Sequence, residues 1–442
     1  MTKRTIPPFR ADHVGSFLRP KELLEARERH FKQKSISRAQ LREVEDQAIR
    51  GIVKLQEDWG LQGITDGEFR RTYFHVDFLE QLEGVEVKGG IQVKFHGAAG
   101  DVDFAPPVMH VTKKLKHVKP IQLEDFKFLK SATKRTPKVT IPSPTMLHFR
   151  GGRGAISREA YPDMEGFYED VARCFRDEIR QLADAGCRYL QLDDTNLAYL
   201  CDPKMREGAR QRGDDPNELP KRYARLINAA IAGKPKDMSV GVHLCRGNFQ
   251  SAWAAEGGYE PVAEVLFNEL QVDSYFLEYD DARSGDFSPL RFVPKGKMVV
   301  LGLVTTKLGT LESRDELKKR IAQAAKHVPL EQLCLSPQCG FSSTVHGNVL
   351  AVEAQAAKIR LVIDTAREVW ATPSRRWART FPWRRPCRAC RGPGRTRGTR
   401  AGSLRPGRPR KRRDRARTPC AADRRRRTGG KSSRGGRRTR AA

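Results

Sequence analysis

The chain has 442 residues, with 83 Lys and Arg against 53 Asp and Glu, a formal net charge of +30. The excess is local: residues 373–442 hold 27 basic and 2 acidic residues, so the first 372 carry 56 against 51 and read as an ordinary globular body. No apolar run reaches the roughly 18 residues of a membrane span, MTKRTIPPFRADH lacks a signal-peptide core, and nine scattered cysteines are not a disulfide framework, so a reducing cytoplasm is expected.

Candidate strands are apolar runs that end in polar residues. In chain order they are 9–15 (FRADHVG), 61–66 (LQGITD), 138–143 (KVTIPS), 188–194 (RYLQLDD), 239–245 (SVGVHLC), 274–279 (SYFLEY), 298–305 (MVVLGLVT) and 332–337 (QLCLSP). Helical periodicity lies between them. Residues 39–60 carry one such pattern and stop at Gly60. Phe167, Val171, Phe175, Ile179 and Leu182 form another, with Gly186 as its C-terminal cap. Helices also fit 217–232, 259–270, 312–326 and 348–370. Residues 84–135 break the rhythm and read as a β-rich insertion after the second unit. Eight strand–helix units in residues 1–372 predict an α/β fold, a (β/α)8 TIM barrel, with an open doubly wound sheet as the alternative. The barrel is preferred because unusual polar residues sit at the C-terminal ends of nearly every strand, where barrels build their sites.

His243 and Cys245 lie two residues apart and share one face of a strand. Zinc takes such nitrogen and sulfur ligands in tetrahedral sites. The next strand end offers Glu278, and the eighth offers Cys339 just before Gly340. An H-x-C pair alone also fits an ordinary half-buried strand end. Cys174, Cys187, Cys201 and Cys334 lack such placement and read as structural.

Taken together, RADHVGSFLRP (10–20), DGEFRR (66–71), LQLDD (190–194), HLCRGN (243–248), FLEYDD (276–281) and LSPQCGF (335–341) resemble cobalamin-independent methionine synthase, and more closely its short single-barrel relatives. The resemblance covers residues 6 to about 370. It implies a zinc (Zn2+) site of His243, Cys245, Glu278 and Cys339, and a methyl transfer to the sulfur of homocysteine. It places the amino-acid substrate against Ser16, Glu68 and Asp193, the acids holding its ammonium and Ser16 its carboxylate; Glu68 and Asp193 are the expected catalytic pair. His13 is either a substrate contact or a hydrogen-bonding residue of the rim, Asp194 a supporting residue, and Asp66 structural. The chemistry suits the residue types, because a free thiol with a pKa of about 8.5 is mostly protonated at neutral pH and needs activation.

The sequence departs from the long enzymes of that family at the donor side. His148 stands near their folate-stacking tryptophan, and GLVTTK, with Thr305, Thr306 and Lys307, has no histidine to donate a proton. Lys307 reads as an anion contact or a solvated lysine, and Arg150 and Arg153 as candidate contacts to an acidic cosubstrate tail. The donor can therefore be a methylfolate or another methyl carrier, and the acceptor homocysteine or a similar small thiol such as coenzyme M. The tail, 373–442, lacks Ile, Val, Met, Asn, Gln, Tyr, His and Glu and is expected to be disordered. It reads as an out-of-frame extension of a GC-rich gene, a native solvated extension, or an Arg-rich nucleic-acid arm; a nucleic-acid partner is expected only through it.

Overall fold

In the computed structural model, which describes residues 4–90, 92–97 and 100–371, the apolar runs pair in the order in which they occur. The strands are β1 Gly63–Ile64, β2 Glu83–Gly90, β3 Val93–Phe95, β4 Val102–Phe104, β5 Pro107–Lys116, β6 Thr136–Pro137, β7 Val139–Pro142, β8 Tyr189–Asp194, β9 Ser239–Leu244, β10 Ser274–Glu278, β11 Met298–Val304 and β12 Leu333–Pro337. β7 to β12 form one six-stranded parallel sheet in sequential order. Every residue of β8, β10, β11 and β12 is buried, as expected of parallel strands covered on both faces. The architecture is α/β: α-helices lie between successive strands of this sheet except β10 and β11, which are joined through two short 3-10 turns.

The first two expected strands are shorter than their apolar runs. Residues 9–15 reach the sheet through one parallel bridge, Ala11 to Leu335, with Asp12 N–H donating to the Leu335 carbonyl at 2.9 Å and Leu335 N–H to that of Arg10 at 2.9 Å. The Asp12 carboxylate instead takes the amides of Phe9 (3.0 Å) and His13 (2.8 Å), a local arrangement that competes with a ladder. β1 pairs in parallel with β6, and the Lys138 amide donates to the Ile64 carbonyl at 2.7 Å. Beyond β1 the Gln56 side chain receives the Thr65 amide and donates to its carbonyl, doing what a neighbouring strand would do.

The helices are α1 Lys21–Phe31, α2 Arg38–Trp59, α3 Val76–Leu79, α4 Leu123–Ala132, α5 Met164–Asp184, α6 Asn196–Tyr199, α7 Pro203–Gln211, α8 Leu219–Ala230, α9 Glu260–Asn268, α10 Arg314–Ala324 and α11 Val352–Ala371. α2 starts at a Ser37–Gln40 capping box and ends at Gly60, whose φ of 104° suits glycine. α5 is capped by Asp163, buries the five apolar residues named above, and is followed by Gly186 at φ 97°. α1 and α7 fall in stretches read without helical periodicity.

The interrupting stretch differs from expectation in its second half. β2 pairs antiparallel with β5, and β3 with β4, so residues 83–116 are β-rich. Residues 123–132 are instead the helix α4, because Phe126 and Leu129, one turn apart, are both buried. The insertion therefore sits inside the second unit, ahead of its helix, rather than after it. No helix among the described residues is long and apolar enough to cross a membrane. The expectations for residues 373–442 lie outside the described residues.

Candidate metal centre and cleft

Two neighbouring strands, β9 and β10, and the loop after β12 deliver the centre. His243 is in β9, Cys245 directly follows it, Glu278 ends β10, and Cys339 lies two residues past β12. The ligand atoms of the four residues lie within 4.8 Å of one another, and all four residues are buried. The two sulfurs are 3.5 Å apart, and no disulfide joins them. The strand period that puts His243 and Cys245 on one face is the reason they converge.

The donor set fits a metal ion. Neither ring nitrogen of His243 has a hydrogen-bond partner, nor does Oε2 of Glu278, although all are buried. Buried polar atoms without partners are rare in a folded protein. One imidazole, one carboxylate and two thiols are ligands suited to tetrahedral zinc. The hydrogen bond donated by Cys245 pushes the Cys339 thiol well below its ordinary pKa and drives Cys245 up. Burial raises Glu278 to about 6, against the pull of the Lys307 ammonium. Lys307 is itself buried, its ammonium 3.8 Å from Asp280 and without a hydrogen bond.

The centre opens into a cleft that Ser16, Glu68 and Asp193 also line. Asp193 is the penultimate residue of β8, and its register partner across the ladder is His243. Gln191 donates to its carboxylate at 2.7 Å. Glu68 sits in a tight turn at φ 58°, a conformation rare for a residue with a side chain and typical of functional sites. The turn is held by Asp66, whose carboxylate takes the Glu68 amide at 2.8 Å, and by Arg19, which donates to the Glu68 carbonyl at 2.6 Å. Arg19 also grips Ser342 Oγ at 2.7 Å and so ties the 68–71 turn to the loop that carries Cys339. Thr140 donates to Glu68 Oε1 at 2.6 Å. Gly15 faces that same oxygen, and a Cβ there would overlap it. Burial lifts Glu68 to about 7, partly offset by Arg71 and reinforced by Asp193; burial also lifts Asp193.

Ser16 Oγ accepts the Ser342 amide at 3.1 Å and presses on Gly340, where no Cβ would fit. His13 does not line the cleft; its Nε2 lies 3.0 Å from the Gly63 carbonyl, which places it against the start of β1. Asp194 takes Thr145 Oγ1 at 2.6 Å and the Leu197 amide at 2.8 Å, a local anchoring role. Arg153 donates to the carbonyls of Ile156, Tyr161 and Pro162 and is absorbed by its own loop. Arg150 lines the cleft and donates to His75 Nε2 at 3.1 Å. His148 is buried and bonded to Tyr223 at 2.8 Å, away from the cleft.

The sequence reading missed two groups. One is the aromatic wall of the cleft, where Phe95 and Phe104 of the insertion meet Phe249; the Phe104 and Phe249 rings stack at 4.0 Å. Only folding brings these residues over the centre. The other is Arg71, which ion-pairs with Glu68 and lies 3.8 Å from Asp193. Its three-residue spacing from Glu68 was a usable signal.

Comparison with known proteins agrees with this layout. The chain is 48% identical to the uncharacterized protein YxjH of Bacillus subtilis over 83% of its own length and 96% of the relative. It is 26% identical to a methionine synthase of Pyrococcus horikoshii, over 76% of this chain and 87% of that one. A solved Listeria monocytogenes structure, assigned to the vitamin-B12 independent methionine synthases, superposes with a TM-score of 0.66 at 39% identity, covering 83% of this chain and 99% of that one. The model of the cobalamin-independent synthase catalytic domain matches residues 9–367, and the chain belongs to that family.

Proposed function

We propose that this protein is a zinc-dependent methyltransferase that moves a methyl group onto the thiol of homocysteine, giving methionine. The carrying observation is that four buried potential ligands converge, and that three of them, His243, Cys245 and Cys339, line one cleft with two buried carboxylates. Zinc held by His243, Cys245, Glu278 and Cys339 would lower the pKa of an incoming thiol and keep it nucleophilic at neutral pH.

The chain's own residues account for the rest. Glu68 and Asp193 bind the substrate ammonium, and Ser16 with its adjoining amides binds the carboxylate. That fixes the sulfur at the end of the side chain toward the cluster. The aromatic wall of Phe95, Phe104 and Phe249 excludes water around the reacting atoms. In the transfer the sulfur–methyl bond forms and the donor–methyl bond breaks, its electron pair staying on the donor. The donor then takes up a proton equivalent to the one the thiol has lost. The donor is a methylated pterin or another methyl carrier. Paired acids favour an amino-acid thiol over a sulfonate thiol such as coenzyme M, whose charge they would repel.

We also read the fold as a closed eight-stranded barrel. The Ala11–Leu335 bridge and the pairing of β1 with β6 support it, as does the Phe17 amide donating to the Gly67 carbonyl at 3.2 Å. The test is direct. Purified protein is assayed for zinc, then for methionine formation from homocysteine with a panel of methyl donors. One zinc per chain and homocysteine-dependent methyl transfer support the reading. A folded protein that binds no supplied zinc, or transfers to coenzyme M and not to homocysteine, overturns it.

A further inference from the structure

One side chain occupies the place that the substrate amine is expected to take. Arg71 pairs with Oε2 of Glu68 and approaches Oδ2 of Asp193 at 3.8 Å. All three side chains are largely buried, at 16%, 4% and 8% exposure. These acids are the only ion-pair or hydrogen-bond partners of its guanidinium among the described residues, and its Nε has none.

The acids are pinned and the arginine is not. Thr140 and the tight turn hold Glu68, and Gln191 holds Asp193. Arg71 reaches them on a flexible stem that other rotamers can carry elsewhere. Charge points the same way. When both acids are charged, two carboxylates against one guanidinium leave one negative charge in excess in a buried site, so a second cation enters a deficit. A thiol without an amine supplies no such cation. If it displaced Arg71 it would leave two buried carboxylates unpaired, and if it did not, the amine position would stay filled.

We infer that Arg71 is a specificity-determining residue: it stands in for the substrate ammonium in the empty cleft, yields to an α-amino thiol, and then pairs with that substrate's carboxylate. The inference rests on the amino-acid thiol reading given above. Guanidinium and carboxylate match as a two-pronged pair, which makes the released arginine the natural partner of the substrate's acid group.

The test compares two ligands on the full zinc-loaded chain by calorimetry. One is homocysteine, and the other is 3-mercaptopropylamine, which keeps the thiol and the amine and lacks the carboxylate. In the wild type, homocysteine is expected to bind at least a hundredfold more tightly. In Arg71→Met, which removes the charge and keeps most of the volume, the amine meets no competitor and the carboxylate loses its partner. The ratio of the two dissociation constants is then expected to fall at least tenfold. Arg71→Lys, which keeps the charge, is expected to retain most of the wild-type ratio and serves if the Met variant folds poorly. A purely structural role would weaken both ligands together and leave the ratio unchanged. An unchanged ratio with intact homocysteine binding overturns the role of Arg71 and leaves the function standing. A zinc-loaded wild type that binds neither thiol overturns both.

Discussion

Cys339→Ala removes one of four converging ligand atoms from a site whose other members are already in place. Structural zinc sites in small peptides gain about 10–16 kcal/mol at neutral pH, so one ligand of four is worth roughly 3–4 kcal/mol, or about two to three powers of ten in affinity. The loss should appear in metal binding rather than in folding, because the residue changes by a single buried sulfur. At free zinc a hundredfold above the wild-type dissociation constant, binding stabilises the wild type by about 2.7 kcal/mol. A variant with about a hundredfold weaker affinity would gain only about 0.4 kcal/mol at the same zinc concentration. The assay is therefore paired: zinc content and chelator competition, then melting with and without zinc. Cys334→Ala is the control, since Cys334 is fully buried in β12, the strand that leads to Cys339, but lies outside the cluster. It should keep both the zinc and the zinc-dependent rise in melting temperature. Equal loss in the two variants, or a Cys339→Ala affinity within threefold of wild type, would refute the shared site.

Gly15→Ala should push the Glu68 carboxylate out of place, since the new Cβ would also lie 2.9 Å from Thr140 Cγ2 at a φ of 149°. A loss of about 1–3 kcal/mol in denaturant unfolding is expected, together with at least tenfold weaker methionine binding by calorimetry. Glu68, raised to about 7, gives a signed pH dependence. Above that pH the carboxylate is charged and accepts an ammonium, and below it a proton must first leave. Methionine affinity should therefore fall as pH drops from 8 to 6, approaching tenfold per unit at the acid end, and Glu68→Gln should flatten the profile. Arg153→Ala should cost about 1–2 kcal/mol of stability and leave kcat/KM unchanged, because its guanidinium serves only backbone carbonyls. A drop in kcat/KM without a drop in stability would return Arg153 to the cosubstrate site.

Much of the sheet was legible because β8 to β12 are continuous apolar runs that stop at polar residues. The His243–Cys245–Glu278–Cys339 cluster was legible in part for the same reason. His243 and Cys245 declare a shared face by their spacing, while Glu278 and Cys339 could be joined to them only by assuming that strand ends meet. Residues 9–15 and 61–66 were harder, because the Asp12 carboxylate and the Gln56 amide satisfy backbone groups that a strand pattern assigns to a neighbour. The helix at 123–132 was obscured by the β-rich residues before it. Arg71 showed its link to Glu68 in its spacing, but its approach to Asp193 depends on strands far along the chain. Arg153 looked like a ligand-binding residue in a glycine-rich loop, and only the folded loop reveals the three carbonyls that consume it.

The seam between residues 9–17 and the segment 333–342 has a consequence for the order in which the molecule can be built. A chain emerging from its N-terminal end presents His243, Cys245 and Glu278 well before Cys339 exists. A metal captured at that stage would meet three ligands and an open side. Closure waits for β12 to bring Leu335 against Ala11 and for Ser342 to reach Ser16, contacts that span almost the whole described body. Such long-range pairings form slowly, because the entropy of closing the loop comes before any contact rewards it. Completing the cluster is thus tied to completing the fold, and a nascent chain halted before residue 333 would carry Glu68, Asp193 and three of the four potential ligands with the cluster unfinished.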